Sequence, residues 1–213
     1  MKEENIMAKI TKIELQQRNK ERANIYVDDN FFMGVNAAII YDLGLKKGEE
    51  IDEAKLKELI HKEGLSKAKN KAMSILNRTA ISEKKLREKL SDYPEDIIDI
   101  VVDKLKEYNF LNDKELGLRI ANDNSHISRF GTNKIRQNLY RKGISKEDIE
   151  EVLENIDQDE QLENAIYLAR KRYEKLKGED SRKVYQKLTQ HLLYKGFNYD
   201  IVKKAINEAL NEY

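Results

Sequence analysis

The stretch NKIRQNLYRKGISKEDIEEVL, Asn133 to Leu153, is written a second time further along the chain as QKLTQHLLYKGFNYDIVKKAI, Gln186 to Ile206. Laid on each other without gaps, Lys134, Gln137, Leu139, Lys142 and Gly143 meet Lys187, Gln190, Leu192, Lys195 and Gly196. Each copy has one physical grammar. Ile135 and Leu139 lie four apart and share a helix face. Gly143 is free to take the left-handed conformation that closes a helix, and Ile144 stands where a Schellman motif places its apolar contact. Ser145 can cap the next helix, with Asp148 three residues on in a capping-box arrangement. Ile149, Val152, Leu153 and Ile156 then form an apolar stripe. Leu188, Leu192, Gly196, Phe197, Val202, Ala205 and Ile206 repeat the pattern at the C-terminus.

A third, earlier copy is EKKLREKLSDYPEDIIDIVVDKL, in which Leu86 and Leu90 match Ile135 and Leu139. After a two-residue deletion, Ile98, Val101, Val102 and Leu105 match the second stripe. This copy lacks the glycine, and Pro94 suits the first turn of its second helix. A helix is predicted before each copy, over 67–79, 113–125 and 159–176. The unit is therefore three helices met three times, and stacked units bury one another's faces. The expected segments are 1–64, an N-terminal β-meander plus helices, and repeats at 65–111, 112–158 and 159–213. The fold class is mainly α: tandem three-helix repeats in an elongated, curved array behind a small antiparallel meander.

The meander is read from ITKIELQQ and RANIYVDDNFFMGV, the second rich in β-branched and aromatic residues. Three strands are predicted, 9–17, 21–28 and 30–36, with Asp28-Asp29-Asn30 as a turn. The alternation in the first strand is imperfect. Asp52 can cap a following helix carrying Leu56, Leu59 and Ile60; Gly64 can end it and Ser66 can cap another.

Composition agrees with this plan. Of 213 residues, 37% are charged and 39% hydrophobic, with one proline, which suits helical repeats with thin cores and solvated faces. Cys is absent, which removes disulfides and zinc–thiolate sites and accords with a reducing cytoplasm. No apolar run reaches membrane-spanning length, and the start MKEEN is a poor signal peptide. With 40 basic against 39 acidic side chains, contact with nucleic acid would have to come from local clusters.

No catalytic constellation stands out, and no cofactor or metal is expected. His61, His126 and His191 are scattered without ligand spacing and read as surface or cap residues. Asp123 falls on the apolar side of its helix unless the helix has already ended, which is the reading favoured. The outward faces carry more. Opposite Ile135 and Leu139 stand Lys134, Gln137 and Arg141, flanked by Tyr140; the last copy places Lys187, Gln190 and Tyr194 there. The first copy places Lys85, Glu88 and Asp92 there, so the slot drifts toward basic along the chain. The helix before the last copy adds ARKRYEKLK, with Leu162, Ile166, Ala169, Tyr173 and Leu176 expected inward and Lys171 and Lys175 outward. SKEDIEEVLENIDQDEQLE is strongly acidic, so charge is segregated although the total is near zero. Segregated charge on repeated geometry suits a long, repeating partner such as a filament or a nucleic-acid strand. The expected contact residues are Lys134, Gln137, Arg141, Lys171, Lys175, Lys187, Gln190 and Tyr194.

The chain resembles the RecX family, the regulatory proteins of the RecA recombinase. AMSILNRTAISEKKLREKL resembles that family's apolar helix, Arg-bearing turn and Leu-rich helix. FLNDKELGLRIANDN resembles its Leu-Asp-Asp junction, with Asn112 where the first Asp is usual. GTNKIRQNLYRKGI resembles its Gly-to-Lys-Gly-Ile segment, with Asn138 where an acidic residue is common, and YKGFNYDIVKKAI its terminal Gly-Phe motif. The likeness runs from about Ile10 to Ala209, in order and spacing, and includes the N-terminal hairpin of longer members. It implies a non-enzymatic modulator built of three-helix units. Such a protein would lie in the groove of the RecA filament on single-stranded DNA, suppress strand exchange and ATP hydrolysis, and touch DNA weakly. Expected with it are a cytoplasmic monomer and no membrane contact. The residues alone leave two alternatives: a helix-turn-helix-like DNA-binding protein acting without RecA, and a general helical adaptor.

Overall fold

The computed structural model describes residues 7–211; the start read above for targeting, Met1–Asn5, lies outside them. The chain divides into two compact units, one of residues 7–80 and 84–111, the other of 81–83 and 112–211 within the described range.

The first unit opens with an antiparallel sheet in the order β3-β2-β1-β4. The strands are β1 (Met7–Leu15), β2 (Arg22–Val27), β3 (Asn30–Asn36) and β4 (Glu50–Asp52). The sequence predicts three; the fourth is only three residues long and pairs with β1 at Met7–Lys9. A segment so short carries no period that a sequence pattern can reveal. The imperfect alternation of β1 has a cause. The register slips between Ile10 and Lys12, leaving Thr11 as an extra residue. Ala8 and Ile10 face the core before the bulge, and Ile13 packs against it afterwards, so the phase of burial flips. Asp28 and Asp29 both take positive φ, 47° and 64°, as a two-residue hairpin loop between β2 and β3 requires. Ile25, Val27 and Val35 complete the inner face, which packs with Ile39 of α1 (Ala37–Asp42) and Leu56 and Ile60 of α2.

Gly64 and Ser66 do not break the chain as the sequence suggests. Helix α2 (Glu53–Leu76) runs straight through both, capped by Asp52 Oδ1 accepting from the amides of Ala54 (2.9 Å) and Lys55 (3.2 Å). The 64/65 segment boundary therefore falls inside a helix. Gly64 is there for space: a Cβ would lie 2.8 Å from Cδ1 of Ile97 on α4. Helices α3 (Glu83–Lys89) and α4 (Glu95–Glu107) follow, with Pro94 at the N-cap, one place before the first turn. Ile97, Ile98, Val101, Val102 and Leu105 form the buried stripe of α4.

The second unit holds two further helix triples: α5 (Asp113–Asn122), α6 (Thr132–Lys142) and α7 (Lys146–Glu154), then α8 (Gln158–Tyr173), α9 (Ser181–Lys195) and α10 (Tyr199–Asn211). Asn112 Oδ1 caps α5 by accepting from Glu115 N at 3.0 Å, a task Asn performs as well as Asp. Ser145 Oγ accepts from Asp148 N at 3.0 Å and donates to its carboxylate at 2.7 Å. The repeated glycines behave alike. Gly143 (φ 87°) and Gly196 (φ 93°) are left-handed, and Ile144 N and Phe197 N reach back to Leu139 O and Leu192 O in Schellman closures. Ile135, Leu139, Leu188 and Leu192 are fully buried.

At Asp123 neither reading foresaw the outcome. The α-helix ends at Asn122, but the chain continues as a π-helical turn, Asp123–Ile127. The wider turn rotates Asp123 into solvent and Ser125 into the interior. On α8 the expected inward residues are confirmed as buried at Ile166 and Ala169 and partly buried at Leu162 and Tyr173, with Leu176 buried beyond the helix end. Buried beside them are two polar residues the pattern does not mark, Gln161 and Asn164.

The Lys-Gly turn has a second purpose visible only in the packing. The residue before α6, Gly131, sits on the turn that ends α9: Gly131 N donates to Lys195 O and Asn133 N to Gly196 O, both at 3.0 Å. A Cβ on Gly131 would lie 2.2 Å from Phe197 N, and one on Gly196 would lie 2.4 Å from Lys134 N. Both glycines are needed for backbone to meet backbone. Ser82, the residue before α3, makes the equivalent contact one repeat earlier, its Oγ donating to Lys142 O at 2.7 Å. In the first copy, which lacks the glycine, the corresponding turn receives a side chain instead: Arg22 Nη1 donates to Asp92 O at 2.5 Å.

Candidate interaction surface on the second and third repeats

Helix α6 leans on α7 through Ile135, Leu139 and Ile149, and its outer side forms one wall of an open cleft of about 630 Å³. Lys134, Gln137 and Arg141 line it, together with Arg136, Tyr140, Lys146 and Glu150. Three of the sequence-predicted contacts are thus one surface, as their spacing requires. Tyr194 joins them from α9, 75% exposed, with the Lys134 Nζ 5.3 Å from its ring centre. Arg136 is ion-paired to Glu150. Arg141 donates to Asn138 Oδ1, while Asn138 Nδ2 donates to Asn124 Oδ1 at 2.6 Å. A carboxylate at 138 could not make that donation, which accounts for the amide here.

Lys187 and Gln190 lie exposed on α9. Lys187 is not free for a partner: Glu179 Oε1 and Oε2 hold its ammonium at 2.7 and 2.5 Å. The sequence places Glu179 in a turn eight residues away, beyond the reach of helix-face reasoning.

The two repeats are tied by a polar joint. Glu160 Oε1 accepts from Ser125 Oγ at 3.0 Å and lies 2.7 Å from His126 Nδ1. Asn164 Nδ2 donates to Ser125 O at 3.2 Å, and Gln161 Nε2 to Ser125 Oγ at 3.2 Å and Phe130 O at 3.3 Å. Arg129, in a left-handed conformation (φ 50°), donates to Asn164 Oδ1 at 2.6 Å and lies over the Tyr167 ring. Such a buried network holds its members in one geometry, and so sets α8 against the π-turn.

Lys171 and Lys175 lie exposed, as expected, but in company the sequence does not reveal. They line a second cleft, of about 230 Å³, with Leu168, Arg172, His191 and Lys195. Burial, then the charges of Lys195 and Arg172, hold the His191 imidazole below its ordinary 6.5. Lys195 Nζ lies 5.1 Å from the Phe130 ring centre. His191 and Lys195 come from α9 and the others from α8 and its end, so no local motif could have announced the cluster. Among the described residues, no group of His, Asp and Glu side chains could hold a metal ion, and no helix is long and apolar enough to cross a membrane.

Fold and surface define a tandem three-helix repeat protein behind a small β-sheet, with a cationic, tyrosine-bearing face. Family models match in the same order: the regulatory protein RecX N-terminal domain over residues 8–52, the second RecX three-helix domain over 112–153 and the third over 159–206. The chain belongs to the RecX family. It is 52% identical over 206 residues to a regulatory protein RecX of Clostridioides difficile (strain 630), covering 96% of this chain and 97% of that one. It is 41% identical over 209 residues to one of Clostridium botulinum (strain Alaska E43 / Type E3), covering 96% and 98%. Among solved structures it is similar to a crystal structure of regulatory protein RecX, with TM-score 0.66, 28% identity and coverage of 94% and 99%. RecX from Lactobacillus salivarius matches with TM-score 0.68, 30% identity and coverage of 70% and 98%.

Proposed function

We propose that this chain regulates RecA without chemistry of its own. It binds in the groove of the RecA filament on single-stranded DNA and suppresses strand exchange and ATP hydrolysis. In this reading the repeats span 65–111, 112–158 and 159–213, and the protein acts as a cytoplasmic monomer. The contacts are Lys134, Gln137, Arg141 and Tyr194 around the α6 cleft, Lys171 and Lys175 on the third repeat, and Gln190. Lys187 contributes only if its bond to Glu179 opens. The observation that carries the reading is the cluster of Lys134, Gln137, Arg141 and Tyr194, exposed together on a chain of a regulatory family. Contacts spread over two repeats act together on a repeating partner.

The test is RecA-dependent ATP hydrolysis on single-stranded DNA with the purified protein titrated in, beside co-sedimentation with the filament. Inhibition is expected, and Lys134, Arg141, Lys171 and Lys175 replaced together by Ala should weaken it with helix content unchanged. No effect on hydrolysis at excess protein, with no co-sedimentation, would overturn the proposal.

A further inference from the structure

The cleft between α8 and α9 differs in kind from the rest of the charged surface. Elsewhere cations are neutralised by neighbours: Lys85 by Glu88, Arg87 by Glu95 and Asp99, Lys187 by Glu179, Lys114 by Glu151. In this cleft Lys171, Arg172, Lys175 and Lys195 meet with His191, and no carboxylate lines it. Four permanent charges held together repel one another, and the fold supplies no counter-charge. Arg172 adds a second observation. Its Nε is buried and has no hydrogen-bond acceptor. A buried guanidinium donor without an acceptor costs about 1–3 kcal/mol or more, so such groups are retained where something else supplies the acceptor. A further feature indicates what that is. Tyr167, 45% exposed, stands beside the cleft with Lys171 Nζ 5.9 Å from its ring centre. Cations that track a backbone next to an exposed aromatic ring are the arrangement that holds single-stranded nucleic acid. At about 230 Å³ the cleft is smaller than pockets for whole drug-sized ligands, and suits a phosphate with its bases outside.

We infer that this cleft is a phosphate-binding site, which takes a phosphodiester of single-stranded DNA with Arg172 and the lysines on its oxygens and Tyr167 beside the adjoining base. The assignment deepens the reading above by giving Lys171 and Lys175 to the nucleic acid and leaving the α6 cleft for protein. It is tested without RecA, so that failure of either reading is separable from failure of the other.

The experiment measures binding of the full chain to a labelled oligo(dT) by fluorescence anisotropy over a salt series. The protein carrying Lys171→Ala, Lys175→Ala and Lys195→Ala is compared with one carrying Lys203→Ala and Lys204→Ala, exposed residues of α10 outside the cleft. The cleft variant should lose affinity at least tenfold, and its log–log salt slope should shrink by roughly 2, three phosphate contacts at about 0.7 each. The α10 variant should change neither by more than twofold. Tyr167→Ala should lower affinity with the slope unchanged, because stacking releases no counterions. The His191 imidazole resonances should shift when the oligonucleotide is added. Displacement by inorganic phosphate, beyond chloride at equal ionic strength, with the same losses in the cleft variant, would keep the site and make its ligand a free phosphate. No binding of either probe, an unchanged slope in the cleft variant, or equal losses in both lysine variants would overturn the assignment.

Discussion

Replacing Gly196 by Ala tests why the repeat ends its central helix on Lys-Gly. Two separate terms oppose the methyl group. The residue is left-handed, with φ 93°, which costs a non-glycine residue about 1–2 kcal/mol. In addition the Cβ would stand 2.4 Å from both Cβ and N of Lys134 and 2.9 Å from its Cα. Backbone cannot rotate aside as a side chain can, so α6 must lift off the turn. Lifting it breaks the bonds Gly131 N to Lys195 O and Asn133 N to Gly196 O, each contributing about 0.5–1.5 kcal/mol. The expected loss is about 2–5 kcal/mol. Two controls separate the terms. Gly178 has φ 91° with nothing within 4 Å of its Cβ position, so Gly178→Ala should show the left-handed term alone, about 1–2 kcal/mol. Gly131 has an ordinary backbone, φ −74° and ψ 161°, so Gly131→Ala should show the joint alone, about 1–3 kcal/mol. Urea unfolding followed by circular dichroism measures the three, and hydrogen exchange at the Gly131 and Asn133 amides localises the change. Equal losses for Gly196→Ala and Gly178→Ala, with Gly131→Ala neutral, would refute the joint and leave the glycine only a helix terminator.

Three further outcomes follow from the packing. Gly64→Ala should be within about 1 kcal/mol of neutral in urea unfolding. The helix-propensity gain of about 1 kcal/mol offsets the push on Ile97 Cδ1, the movable end of a side chain; a large loss would mean that Gly64 is not mid-helix. Leu139→Ala, at a fully buried position, should cost about 2–5 kcal/mol by the same assay, and a loss below 1 would contradict its burial. The Asp92 carboxyl is held below its ordinary 3.8 chiefly by the Lys71 ammonium 2.8 Å away, with Asn19 assisting. A depressed carboxylate stabilises the fold above the unfolded value and loses that contribution as pH falls through the folded one. The stability difference between the native chain and Asp92→Asn should therefore be full above about pH 4 and shrink below 3.8; a difference that is constant down to pH 2 would remove the pairing from the account.

What the sequence determined by itself was whatever acts within one helix or one turn. The left-handed Gly143 and Gly196, the Ser145 cap, the Asp28-Asp29 loop and the apolar stripes of α4, α7 and α10 depend on neighbours within a few positions, and their spacing is written in the chain. The grouping of Lys134, Gln137 and Arg141 was legible for the same reason. Tertiary structure decided everything that needed a partner from elsewhere. Gly64 resembles a stop until Ile97 arrives to fill the space above it. Lys187 resembles an open charge until Glu179 folds back on it. Lys171 and Lys175 resemble a solvated face until α9 brings His191 and Lys195 across to meet them. A helix period records which way a residue points, but not what it meets there, because side-chain partners across a core are set by three-dimensional packing and leave no trace in the spacing of either segment.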